Sequence, residues 1–144
     1  MRIEANKRNG YKYFREITTR WSDNDVYGHA NNVIYYSWFD TVVNHFLIAH
    51  DLLDIDHGQL IGIVIESQCN YLASVAFPEP VCAGLRVGKL GNSSVRYEVG
   101  IFRGDDHVAA AQGHFVHVYV DRVTRRPAAI PGDMREILQT IQVA

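Results

Sequence analysis

Two hydrophobic periods divide the chain. Tyr11, Tyr13, Ile17, Thr19 and Trp21 share one face at period two, which predicts a strand over 11–21. Phe39, Val42, Val43, Phe46 and Leu47 instead follow the i, i+3, i+4, i+7, i+8 spacing of a helix with one buried face. Asn31 or Asn32 suits its N-cap, because a short side-chain oxygen can accept from a first-turn N–H. A helix from there to about His50 would be roughly 28 Å long, enough to cross a whole sheet. After the polar connection Asp51–Gly58 the period returns to two and stays there. Strands are predicted over Gly62–Leu72, Val81–Leu90, Ser94–Arg103 and Val108–Asp121. Phe77-Pro78-Glu79-Pro80, Gly91-Asn92-Ser93 and Gly104-Asp105-Asp106 separate them with turn chemistry. A short terminal helix is predicted after Pro131, and the charged residues 1–10, ending at Gly10, read as a loose leader.

One long helix and about five strands predict an α+β domain, a mostly antiparallel sheet wrapped around a central helix. One helix cannot cover both faces of such a sheet. A second copy is therefore expected against the other face, or against an edge strand such as Gly62–Leu72.

Composition narrows the function classes. The 144 residues fit one domain, 1–144, large enough for a substantial core. A net charge of −2 gives no global pull toward nucleic acid or an anionic membrane. The longest aliphatic run, Leu60 to Ile65, falls far short of the roughly 20 residues of a membrane span. Cys69 and Cys82 lack metal-ligand spacing, and the N-terminus lacks the apolar core of a signal peptide, so a cytoplasmic protein is expected.

The candidate chemistry sits where strand gives way to helix. Asp23-Asn24-Asp25-Val26-Tyr27-Gly28-His29-Ala30-Asn31-Asn32 packs carboxylates, a glycine turn, a histidine and two asparagines into one connection. A helix N-terminus offers unpaired N–H groups and a partial positive charge. A carbonyl oxygen held there, with Asp25 attacking the carbonyl carbon or activating water, is the reaction these residue types suggest.

The stretch Arg20–Asn32, with Tyr35-Tyr36 after it, resembles the hotdog-fold acyl-CoA thioesterases of the 4-hydroxybenzoyl-CoA thioesterase group. Tyr71, Pro78–Val81, Gly91–Val95, Val120–Arg122 and Arg125–Pro127 follow in the expected order. The resemblance runs from about Tyr13 to Pro131. It implies a hotdog fold and a catalytic aspartate at the second position of D-x-D-x-x-G, here Asp25. It also implies an oxyanion donor at the backbone N–H near Asn32, assisted by Val33, and an active site shared between two subunits of a homodimer or homotetramer. The substrate would be an acyl-CoA or acyl-carrier-protein thioester, hydrolysed to a carboxylic acid and CoA. CoA is then part of the substrate, and no cofactor or metal is implied.

Other residues take lesser parts. His29 is a candidate acid, although a thiolate leaves with little protonation because thiol pKa is near ~8.5. Lys89, Asn92, Ser93, Arg122 and Arg125 are candidates for the CoA phosphates, and Tyr27 for the acyl end, with Tyr35, Trp38 or Phe39 nearby. His114 and His117 should point to opposite strand faces, and His45 and His50 do not share a helix face, so no metal site is expected. Glu66 reads as structural. A non-catalytic acyl-CoA-binding module and a hotdog dehydratase of acyl thioesters are the alternatives.

Overall fold

The computed structural model describes residues 2–144. Five strands, β1 (Tyr13–Ile17), β2 (Leu60–Tyr71), β3 (Val81–Leu90), β4 (Ser94–Arg103) and β5 (Ala111–Asp121), form one antiparallel sheet in the order β1-β3-β4-β5-β2. Helix α1 (Asn32–Ala49) lies across one face, and α2 (Gly132–Gln139) closes the end of the sheet beside β3.

Side-chain alternation explains the packing. Val95, Tyr97, Val99 and Ile101 of β4 and Ala83, Leu85 and Val87 of β3 bury their side chains on the helix side. Tyr35, Trp38, Phe39, Val42, Val43, Phe46 and Leu47 of α1 meet them, extending the expected stripe by one turn toward the N-terminus. Each such burial contributes about 1.5–3 kcal/mol before the entropy of ordering is subtracted. In β5 it is Phe115, His117 and Tyr119 that face the core, while Val116 and Val118 stay half-buried on the opposite face.

Two expectations are corrected. The first strand stops at Ile17, because Trp21–Asp23 turns into a 3-10 helix that leaves Trp21 77% exposed. Nor is the N-terminal segment loose. Asn6 N–H donates to Gln112 Oε1 at 2.6 Å, Arg8 donates to the carbonyls of Gly104 and Asp106, and Tyr11 is buried against Phe102 and Ala109. Tyr11 fits because Gly84 and Gly100 have no side chains. A Cβ at Gly100 would stand 2.7 Å from its ring. The segment therefore covers the β3–β4 half of the outer face.

The β2 half is uncovered. Ile63, Val64 and Ile65 are exposed, and among the described residues no strand pairs with the outer edge of β2. A register break between Val64 and Glu66 leaves Ile65 outside the ladder with β5.

Candidate active site

The turn before α1 is built on Asp23. Its carboxylate is 1% exposed and accepts from Arg20 N–H at 2.8 Å and from the Arg20 guanidinium at 2.9 and 3.1 Å, while its carbonyl accepts from Asn31 N–H. Ala30 N–H donates to Val75 O at 2.6 Å and Phe77 N–H to Asn24 Oδ1 at 3.0 Å, tying the turn to the segment between β2 and β3. Inside this frame, Asp25 N–H donates to His29 O and Gly28 N–H to Asp25 O, both at 3.0 Å. Gly28 takes φ +84°, a conformation that costs glycine nothing and a side-chain-bearing residue much more.

The two aspartates thus differ in kind. Asp23 is a buried structural anchor. Asp25 is half-buried, and its Oδ1 accepts from Tyr27 N–H at 2.9 Å, while Oδ2 has no partner among the described residues. Asp25 lines an open hollow of about 580 Å³ with Trp21, Val26, Tyr27 and Asn31. Val26 and Tyr27 are 94% and 82% exposed there, so apolar surface surrounds the carboxylate.

Asn31 is the N-cap of α1. Its Oδ1 accepts from Val33 N–H at 3.0 Å, and its carbonyl accepts from Ile34 N–H. The Val33 amide is thus engaged by the cap. The Asn32 N–H has no partner among the described residues, and Tyr71 Oη donates to the Asn32 carbonyl at 3.2 Å. Asn32 lines a second hollow, of about 340 Å³, with His29, Tyr35 and Tyr71. Burial pushes the Tyr35 and Tyr71 hydroxyls up to about 12, so both stay protonated at neutral pH. Cys69 nearby is pushed up to about 11 by the same cause, which removes it as a thiolate nucleophile. His29 Nδ1 lies 3.3 Å from the Ala30 carbonyl. The stretch 29–32 serves both hollows, giving Asn31 to the first and His29, Ala30 and Asn32 to the second. Replacing Asn31 by Ala should cost about 1 kcal/mol of stability and leave Val33 N–H unpaired, which chemical denaturation would measure.

The expected phosphate-binding residues lie elsewhere. Lys89, Asn92, Ser93, Arg122 and Arg125 cluster at the other end of the sheet, where β3 turns into β4 and β5 ends, near the C-terminus of α1. Within one chain, α1 separates them from Asp25 by roughly 27 Å. Lys89, Asn92 and Arg125 are exposed, and Arg125 takes φ 62° in the turn after β5. Arg122 is engaged within the chain: its guanidinium donates to the carbonyls of Gly58 at 2.6 Å, Asp54 at 3.5 Å and Ile55, so it secures the 54–58 loop. Sequence spacing carried no signal for that role.

His114 and His117 fall on opposite faces. His114 Nε2 lies 3.1 Å from Glu66 Oε2 on the outer face, while His117 is 5% exposed in the core with no hydrogen-bond partner at either ring nitrogen among the described residues. Among the described residues no group of three His, Cys, Asp or Glu side chains could hold a metal ion. Burial lowers His117 to about 4 from an ordinary 6.5. The unfolded chain therefore binds a proton that the folded chain refuses between these values, and stability falls as pH drops from 6.5 toward 4. Between pH 7.5 and 4.5 the wild type should lose roughly 2–3 kcal/mol more than His117→Phe in urea denaturation. Parallel losses in the two proteins would contradict a neutral buried imidazole.

Comparison with known proteins places this geometry. A family model described as the thioesterase superfamily matches residues 27–110. The crystal structure of the PA5185 protein of Pseudomonas aeruginosa is 50% identical, covering 98% of this chain and 99% of that one, with a TM-score of 0.94. A predicted thioesterase from Bacillus stearothermophilus is 25% identical over 91% of this chain and 96% of its own, with a TM-score of 0.79. The uncharacterized protein YsmA of Bacillus subtilis is 26% identical over 85 residues, a stretch covering 59% of this chain and 57% of YsmA. The five-stranded antiparallel sheet with its helix is the hotdog fold that the resemblance implied. With a match that takes in the turn from Tyr27, all of α1 and strands β2, β3 and β4, the chain belongs to the thioesterase superfamily, a family of thioester hydrolases.

Proposed function

We propose that the protein hydrolyses an acyl-CoA or acyl-carrier-protein thioester to a carboxylic acid and a thiol. The observation that supports this reading is that one hydrogen-bonded turn carries both an Asp25 carboxylate with one oxygen unbonded and, seven residues later, an Asn32 N–H without a partner among the described residues, in adjoining hollows joined by the stretch 29–32. The thioester carbonyl accepts from Asn32 N–H, at the positive end of α1, and negative charge grows on that oxygen as a nucleophile adds to the carbon. In one route Asp25 takes a proton from water as the water oxygen attacks. In the other the carboxylate attacks, the C–S bond breaks, and water hydrolyses the mixed anhydride. Both expel the thiolate, which then takes up a proton. In a single turnover in ¹⁸O-labelled water, label in the Asp25 carboxyl demonstrates the second route with water adding to the Asp25 carbon of the anhydride, and borohydride reduction of a trapped Asp25 anhydride detects that route when water adds to the acyl carbon instead.

The site is completed by a second chain. Isologous antiparallel pairing of two β2 edges sets the Tyr71 end of one strand beside the Leu60 end of the other. The Leu60 end adjoins β5 at Asp121, so the partner's Lys89, Asn92, Ser93 and Arg125 region approaches the Asp25 turn, supplying cations for the CoA phosphates. Exposed Ile63, Val64 and Ile65 supply the apolar contact, and Tyr27 and Val26 the surface for the acyl end. His29 orders the turn through Ala30 and stands beside the leaving group. A homodimer is the minimal assembly, and a homotetramer buries the outer face further. Free Cys69 and Cys82 fit a reducing, cytoplasmic setting, and among the described residues no helix is long and apolar enough to cross a membrane.

Thiol release from a panel of acyl-CoAs and acyl-carrier-protein thioesters tests the reading. Hydrolysis of at least one class supports it. Tight binding without thiol release would make the protein a binding module, and a dehydrated acyl product would make it a dehydratase.

A further inference from the structure

A third cavity, of about 410 Å³, lies at the far end of α1 from the Asp25 turn. Its walls are Leu47 of α1, Leu52 and Leu53 of the following loop, Leu60 of β2 and Met134 of α2, and its floor includes His117 and Tyr119 of β5. The volume falls in the range of ~300–1,000 Å³ typical of small-molecule sites. The walls are apolar, but the floor is not satisfied. Tyr119 Oη is engaged with Tyr97 Oη at 2.7 Å, whereas His117 is 5% exposed and neither ring nitrogen has a partner among the described residues. Both nitrogens are sealed from bulk solvent, and Nδ1 faces Gly62, where a Cβ would stand only 3.0 Å away, so no side chain at position 62 stands between the imidazole and the cavity that His117 lines. Buried polar atoms in native proteins are almost always hydrogen-bonded, and an orphaned pair in a pocket floor marks a place for a partner.

The rim restricts what that partner is. Asp51, Asp54 and Asp133 line the cavity, and the one cation there among the described residues, Arg122, is committed to backbone carbonyls. A carboxylate or phosphate would meet like charge. A neutral hydroxyl or keto oxygen on an apolar body meets none, and a hydroxyl can serve either nitrogen of a neutral imidazole.

We infer that the cavity between the C-terminal half of α1 and the β2–β5 edge binds a neutral apolar group carrying one hydroxyl or keto oxygen, with that oxygen hydrogen-bonded to His117. Such a group is either the acyl part of a thioester or a separate small molecule. Only the first source rests on the hydrolase reading.

The full-length protein is titrated with p-cresol and with toluene, a pair differing by one hydroxyl, while the imidazole resonances of His117 are followed by NMR. Expected are a shift of those resonances by p-cresol and an affinity about tenfold above that for toluene, equivalent to ~1.4 kcal/mol. His117→Phe should bring the two affinities together, and Leu52→Trp, which adds bulk at a wall residue of the cavity, should weaken both probes. Unmoved His117 resonances, equal affinities in the wild type, or discrimination that survives in His117→Phe would overturn the inference. Leu52→Trp decides the matter if His117→Phe does not fold, since unchanged p-cresol binding in that variant also overturns it. Turnover of octanoyl-CoA then separates the sources. Competitive inhibition by p-cresol identifies the cavity as the acyl seat, and unaltered KM with p-cresol bound identifies a separate ligand. The binding arms need no catalysis, so their failure is distinct from failure to hydrolyse a thioester.

Discussion

Asp25→Asn should lower kcat for thioester hydrolysis by at least about 100-fold while leaving the melting temperature almost unmoved. An asparagine side chain retains the oxygen that accepts from Tyr27 N–H, so the turn keeps its shape. What it loses is the nucleophilic or proton-accepting oxygen. Asp23→Asn supplies the opposite result. That side chain is buried and accepts three hydrogen bonds from Arg20, two of them from the guanidinium, so neutralising it should cost about 1–3 kcal/mol of stability. Any activity lost in Asp23→Asn should follow the fraction unfolded. Steady-state kinetics and thermal denaturation of the two variants, side by side, separate chemistry from scaffold. Near-normal turnover in Asp25→Asn would remove Asp25 from the mechanism.

The double substitution Val64→Lys, Ile65→Lys should convert the proposed dimer to monomers and abolish hydrolysis, with losses above about 100-fold. Both residues are exposed on the uncovered edge strand, and Ile65 takes no part in the ladder with β5, so the fold of the single chain has little reason to change. Two copies meeting there would bring four like charges together at the symmetry axis, where desolvation strengthens their repulsion. Light scattering reads the mass, and circular dichroism verifies the fold. A wild-type monomer, or a fully active monomeric variant, would refute a site completed by two chains.

Much of the architecture is written in local pattern. The boundaries of β3 and β4 follow directly from alternation and flanking turn residues, because both strands bury one face continuously and meet tight turns. The N-cap was legible to within one residue, since asparagine there has one evident physical use. The overextension of β1 has an equally physical reason: Thr19 and Trp21 keep the period, but Asp23 captures Arg20 and bends the chain before the pattern ends. The site divides along the same line. Asp25, His29 and Asn32 are neighbours in sequence and could be read as a group. The different duties of Asp23 and Asp25 depend on which one is buried, and spacing does not encode that. His117, Gly62, Leu52 and Met134 come together from four separated segments, and Arg122 finds its carbonyls across the fold, so neither the cavity nor the loop clamp had a linear signature.

The segment from Asn6 to Tyr11 has a practical bearing on handling the protein. Deleting it to trim a supposedly floppy tail would expose Phe102 and the glycine-floored trough that Tyr11 fills, together with Gln112, which holds Asn6 and Glu4. Such a shortened chain would carry a bare sticky groove beside an already open strand edge, and would be prone to clump during purification. Affinity tags belong upstream of an intact first eleven residues.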